Sequence, residues 1–104
     1  MGNQWSTADI PDLTGRHVIV TGGNRGLGYA SVVEFAKKGA HVVLTSRSTE
    51  KGEAAVESIR KIVPDASLDV MELDCASFAS VRAFAKQYKT KYGTKLDVIL
   101  NNAG

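Results

Sequence analysis

The stretch Thr21-Gly22-Gly23-Asn24-Arg25-Gly26-Leu27-Gly28 constrains the chain more than any other, because four glycines fall within eight residues between an apolar run and an amphipathic one. Arg16-His17-Val18-Ile19-Val20-Thr21 reads as a short buried strand. Over residues 26–38, Leu27, Ala30, Val33 and Ala36 recur at helical spacing, and Gly39 follows two lysines where a helix end favours them. A glycine directly after the strand permits a tight turn. Gly26 lets backbone approach a phosphate group, and Gly28 lets the helix pack close to the sheet. The helix start adds free N–H groups and the positive end of a dipole. Tight turns also collect glycine, so the cluster alone is a weak signal. Inside a complete strand-loop-helix-strand unit it reads as a pyrophosphate-binding loop.

The same alternation continues along the chain. His41-Val42-Val43-Leu44-Thr45-Ser46 is a second buried strand, and Ser48 or Thr49 can cap a second helix with an inner stripe of Ala55, Ser58, Ile59 and Ile62, ended by Pro64. Residues 67–73 form a third strand. Ser77 caps a third helix with Phe78, Val81, Phe84, Ala85 and Tyr88 on one face, broken at Gly93. Asp97-Val98-Ile99-Leu100-Asn101 is a fourth strand, its apolar run reading as buried on both sides. The order β-α-β-α-β-α-β predicts an α/β fold, a partial Rossmann-like doubly wound parallel sheet. With strand order 3-2-1-4, the first two helices share one face and only the third crosses to the other. The fourth strand is then a bare edge, which makes the sheet read as incomplete on its C-terminal side and open to self-association. Residues 1–15 form an N-terminal lead-in segment and 16–104 the nucleotide-binding part of one domain.

Composition excludes several classes. A chain of 104 residues buries roughly 65% of its unfolded surface and holds a single core. Thirteen basic residues against eleven acidic ones leave a formal charge of +2, scattered rather than gathered in a stripe, which makes nucleic acid a poor partner. Cys75 is the single cysteine, so no internal disulfide can form, and no Cys/His pair has metal-ligand spacing; a reducing, cytoplasmic setting fits. No apolar run approaches the roughly 18 residues of a membrane span. Met1-Gly2-Asn3-Gln4-Trp5-Ser6 fits the N-myristoylation pattern at Gly2; the plainer reading is a polar segment whose Trp5 packs on the domain, and one acyl chain anchors only marginally.

The spacing Gly22, Gly26, Gly28 is Gly-x-x-x-Gly-x-Gly, preceded by Thr21, and Asn101-Asn102-Ala103-Gly104 closes the fourth strand. On these two motifs the chain resembles the short-chain dehydrogenase/reductase family, in its N-terminal portion. The segment Asp9-Ile10-Pro11-Asp12-Leu13-Thr14-Gly15-Arg16 and the Arg47 loop further resemble the retinol-dehydrogenase-like branch. The resemblance implies an oxidoreductase acting on an alcohol or carbonyl, with a dinucleotide cofactor held by Gly22, Asn24, Arg25, Gly26, Leu27 and Gly28. Asp74 would contact the adenine, with the Cys75 backbone beside it. Asn101 would knit neighbouring strands, and Ala103 and Gly104 would line the adenosine and ribose path.

Cofactor choice can be argued from charge. Dinucleotide folds that take NAD place an acid at the end of the second strand to accept bonds from the ribose hydroxyls. Thr45-Ser46-Arg47-Ser48 has none; Arg47, Arg25 and neighbouring hydroxyls such as that of Ser46 suit a 2′-phosphate, hence NADP(H). Two readings stay open for Asp74, which is either on the ligand side of the sheet or a turn residue opening the next helix. Cys75 reads as a small buried hydrophobe with no assigned chemistry. Catalysis in this family needs a Ser and a Tyr-x-x-x-Lys; Tyr29, Tyr88 and Tyr92 are followed at the fourth position by Val33, Tyr92 and Leu96. No turnover is therefore expected from these residues alone. A substrate enters only if the domain is completed, and the alternative is a non-catalytic nucleotide-binding or oligomerising module. His17 and His41 open their strands at the end opposite the loop, and the charged helix faces are solvated, with pairs such as Glu57-Lys61.

Overall fold

A computed structural model describes residues 12–24 and 26–101. Four strands, β1 (His17–Thr21), β2 (His41–Ser46), β3 (Ser67–Glu72) and β4 (Val98–Asn101), alternate with three helices, α1 (Gly26–Lys37), α2 (Thr49–Ile62) and α3 (Phe78–Tyr92). All pairs are parallel and the order is β3-β2-β1-β4. Val18 is in register with both Val42 and Val98, and Leu44 with Val70. The first two crossovers step outward from β1 and the third steps back past it. With one crossover hand, α1 and α2 lie together on one face and α3 alone on the other.

Packing follows that division. Alternate residues of the central strands, Val18, Val20, Val42 and Leu44, meet Val32, Phe35, Val56 and Ile59 from α1 and α2. Ile19, Val43 and Met71 point the other way, toward Tyr88 with Phe84 and Tyr92 of α3. The single core read from length is thus divided by the sheet into a large cluster and a small one. Val18, Val20, Val42 and Leu44 are fully buried, each stabilising the fold by about 1.5–3 kcal/mol. β1 and β2, covered on both faces, carry the continuous apolar runs that such strands require.

Several sequence-based details are corrected. In α1 the buried face is Gly28, Val32, Val33, Phe35 and Ala36, while Ala30 is exposed and Leu27 is 74% exposed. In α2 the face rotates to Gly52, Ala55, Val56 and Ile59, leaving Ser58 and Ile62 outside. Gly52 is what lets it rotate: a Cβ there would stand 2.7 Å from Val70 Cγ1. In α3 only Tyr88, flanked by half-buried Phe84 and Tyr92 one turn either side, faces the sheet. Phe78, Val81 and Ala85 are exposed because no described element packs outside α3. Val98 and Ile99 of β4 are exposed too, 40% and 57%, rather than buried on both sides. The Glu57-Lys61 pair does not form among the described residues, where α1 has Lys37 with Glu34 at 3.5 Å.

Helix ends are set as the capping residues dictate. Ser48 Oγ accepts the Lys51 N–H at 3.3 Å to open α2, and Ser77 Oγ accepts the Ser80 N–H at 3.2 Å to open α3. Gly93, at φ +67, ends α3 in a conformation that side-chain-bearing residues resist.

Candidate functional site

The glycine loop stands at the C-terminal end of β1, between the ends of β2 and β4, where open α/β sheets bind ligands. Gly22 and Gly26 take φ values of +64 and +62, in the left-handed region, so the turn needs glycine at both positions. A Cβ on Gly26 would meet nothing within 4 Å, so the loop backbone is open to a ligand on that side. Gly28, by contrast, is buried in the first turn of α1. Asn24 is half-buried, and Leu27 presents its side chain to solvent beside the helix start.

Hydrogen bonds sew the loop to both neighbouring strands. Thr21 Oγ1 donates toward Asn101 Oδ1 at 3.0 Å, with the Leu100 carbonyl at 3.4 Å, tying β1 to β4. On the other side the Gly22 N–H donates to Thr45 Oγ1 at 3.3 Å and the Gly23 N–H to the Thr45 carbonyl at 3.1 Å. Thr45 is 1% exposed, and so is a loop anchor and not one of the hydroxyls offered to a ligand. Ser46 is also buried, its Oγ accepting the Ser48 N–H at 3.2 Å and its carbonyl the Leu73 N–H at 3.0 Å. Arg47, next along, is exposed. At the end of β2 the exposed charge is therefore a guanidinium, with no carboxylate at positions 45–48.

Asp74 follows β3. Its Oδ1 accepts the Ala76 N–H at 3.0 Å, its carbonyl the Ser77 N–H at 3.0 Å, and its own N–H donates to Ser80 Oγ at 2.8 Å. That is the turn geometry of a residue opening α3. Cys75 is exposed, a correction to its reading as a buried hydrophobe, because it sits on the outer side of that turn. Arg25, Asn102, Ala103 and Gly104 lie outside the described residues, as do Gly2 and Trp5.

Two features at the site went unread in the sequence. Gly23 has no positive φ, yet a Cβ there would stand 2.5 Å from Leu44 Cδ1 and 3.0 Å from Val32 Cγ2. Thr45 offered only its alternation within β2 as a signal. At the opposite end of the sheet a polar cluster joins residues that sequence spacing leaves far apart. Tyr92 Oη donates to Asp69 Oδ2, which also accepts from Lys91 Nζ at 2.6 Å. A tyrosine has one proton, so Tyr92 Oη accepts from His41 Nε2 at 2.8 Å, and His41 Nδ1 in turn accepts from Ser67 Oγ at 2.6 Å. The His17 ring lies 5.1 Å from that of His41 and 5.3 Å from that of Tyr92, its Nδ1 buried without a partner. Burial, then the charge of His17, holds His41 below its ordinary value of 6.5. Burial works to raise Asp69, but the bonds from Lys91 and Tyr92 outweigh it and leave the carboxyl below its usual range.

The three tyrosines are all accounted for in structural bonds. Tyr29 Oη meets Ser58 Oγ at 2.7 Å, Tyr88 Oη donates to the Lys95 carbonyl, and Tyr92 is in the cluster above. None of the three stands at the glycine loop as a proton donor. Among the described residues there is no metal-binding group of acids, histidines and cysteines, and no helix long and apolar enough to cross a membrane.

The model of the short chain dehydrogenase family matches residues 16–104. The chain belongs to this family. Among curated short-chain dehydrogenases, drtF of Aspergillus calidoustus is 44% identical over 95 residues, covering 91% of this chain and 30% of that protein. (+)-Neomenthol dehydrogenase of Arabidopsis thaliana is 44% identical over 97 residues, 91% of this chain and 32% of that protein. Of solved structures, menthone neomenthol reductase from Mentha piperita superposes with a TM-score of 0.80 at 38% identity, covering 86% of this chain and 31% of that one. A metagenomic short-chain oxidoreductase in complex with NADP gives a TM-score of 0.79 at 33% identity, covering 89% and 41%. The short-chain dehydrogenase fold expected from the two motifs is the fold observed, and the chain spans about a third of the length of the curated relatives it matches.

Proposed function

We propose that residues 16–104 form the NADP(H)-binding portion of a short-chain oxidoreductase acting on an alcohol or carbonyl substrate, with 1–15 as its lead-in segment and the cytoplasm as its setting. The observation that carries the reading is the pairing of an open glycine loop with a β2 end where the exposed charge is Arg47. Gly26, Leu27 and the start of α1 would take the pyrophosphate, since backbone N–H groups and the helix dipole both favour an anion there. Arg47, with Arg25, would take the 2′-phosphate, and Asp74 the adenine side. Asn101, Ala103 and Gly104 would line the ribose path. The bound cofactor would give a hydride to a carbonyl or take one from an alcohol, and the groups named here would bind and orient it.

Calorimetric titration with NADPH and NADH tests this. Weak but measurable NADPH binding that exceeds NADH binding, with the preference lost in Arg47→Asp, is the expected result. Equal or tighter NADH binding would overturn the cofactor assignment, and no binding of either would overturn the site.

One observation favours a second role, self-association. β4 is an edge strand in the described sheet, with Val98 and Ile99 exposed. A defined dimer in sedimentation, abolished by Ile99→Lys, would support a nucleotide-binding module that oligomerises through this edge; a monomer would remove it.

A further inference from the structure

Thr45 lies outside the set of groups that would touch a cofactor, yet it holds the loop that would. Its side chain is buried beneath the turn, and it engages two successive N–H groups, that of Gly22 through Oγ1 at 3.3 Å and that of Gly23 through its carbonyl at 3.1 Å. The second bond uses main chain and any residue could make it. The first needs a hydroxyl at position 45 on this face of β2. Gly22 is also where the chain turns through φ +64, a conformation that an unanchored glycine shares with many others.

Resting on the proposed nucleotide site, we infer that Thr45 is a positioning residue. Its hydroxyl fixes the first peptide of the glycine loop, so that the N–H groups at Gly26, Leu27 and the start of α1 are presented to a pyrophosphate in one arrangement. Two consequences distinguish this from a general role in stability. The Gly22 and Gly23 N–H groups are already engaged by Thr45, which makes the role of Gly22 the turn itself and leaves phosphate recognition to the residues that follow. The pyrophosphate is common to both dinucleotides, so loss of the anchor weakens NADPH and NADH by the same factor and leaves their ratio unchanged. Arg47, two residues further on and exposed, acts on the ratio instead.

The test compares Thr45→Val, which keeps the shape and loses the hydroxyl, with Thr45→Ser, which keeps the hydroxyl. NADPH and NADH dissociation constants are measured by calorimetry at fixed salt, and amide hydrogen exchange at Gly22 by NMR on the ligand-free chain. A single net hydrogen bond predicts about three- to tenfold weaker binding of both cofactors in Thr45→Val. The same variant should show faster Gly22 exchange, and Thr45→Ser should restore both. Unchanged affinity in Thr45→Val, loss without rescue by Ser, or a changed NADPH/NADH ratio each overturns the inference. If the unmodified chain binds neither cofactor, the site reading fails, and the anchor is then judged by Gly22 exchange alone: unchanged exchange in Thr45→Val overturns it as well. Should Thr45→Val not fold, the Ser and Cys variants, alike in shape but not in acceptor strength, carry the same comparison.

Discussion

Gly23 puts the close packing under the loop to a quantitative test. Its φ is not positive, so replacing it with alanine meets no left-handed strain. What it introduces is a methyl group 2.5 Å from Leu44 Cδ1, 3.0 Å from Val32 Cγ2 and 3.3 Å from the Val20 carbonyl oxygen. Carbon atoms pack at about 3.5–4.0 Å, so Leu44 must move by about 1 Å. Leu44 and Val32 are both fully buried, and neither can relax into solvent. Overpacking of this kind costs about 1–3 kcal/mol, against which the reduced freedom of the unfolded chain returns about 0.4–1 kcal/mol. Gly23→Ala should therefore destabilise the fold by about 1–2 kcal/mol, a melting temperature lowered by roughly 5–15 °C for a domain of this size. Urea denaturation followed by circular dichroism measures it. A double variant with Leu44→Ala isolates the contact: Leu44→Ala alone costs about 2–5 kcal/mol, and the pair should fall short of the sum by about 1 kcal/mol. Stability of Gly23→Ala within about 0.3 kcal/mol of the parent, or strict additivity in the double variant, would refute the packing argument.

The polar cluster at the other end of the sheet makes two further predictions. His41 is held below 6.5 in the folded chain, so the unfolded chain takes up the proton first. Stability is thus full above pH 6.5 and declines as pH falls through the lowered value, with the neighbours His17, Asp69, Lys91 and Tyr92 all present around the ring. His41→Gln should flatten the denaturation free energy between pH 7 and 5; an equally steep decline would assign the effect elsewhere. Tyr92→Phe removes the donor to Asp69 and the acceptor of His41 together, and should cost about 1–3 kcal/mol in urea denaturation at pH 7.5, whereas a change below about 0.5 kcal/mol would show the cluster to be energetically idle.

How far the sequence could be read depended on whether a signal was local. Buried strands β1 and β2 declare themselves through unbroken apolar runs, and the capping serines 48 and 77 through their position before helical segments. With strand order 3-2-1-4, crossover hand then fixes the face on which each helix lies. Which residues of a helix face inward was less legible. The stripe in α2 is displaced by the need to seat Gly52 against Val70, and a contact between elements 18 residues apart has no local signature. The glycine loop was readable since turn conformation and phosphate approach both require the residue type itself. Thr45 and Gly23 were not, because their roles arise only when β1 and β2 are laid side by side.

The sheet also explains why the two polar clusters stay apart. Along β1 and β2 the middle residues are apolar on both faces, so hydrogen-bonding side chains are confined to the ends. At the C-terminal ends the chain turns through glycines, and a Cβ on Gly26 would meet nothing within 4 Å. At the N-terminal ends the polar groups satisfy one another through His41, Tyr92 and Asp69, and the end of α3 is fastened there. At one end His41, Tyr92, Asp69 and Lys91 are bonded to one another, and at the other the start of α1 is carried on a loop anchored by Thr21 and Thr45. A ligand rich in acceptors gains more at the second end, where it replaces water on groups already held in place, than at the first, where it would have to break bonds already made. That asymmetry follows from side-chain bonding alone, and it selects the same end of the sheet as the glycine spacing does.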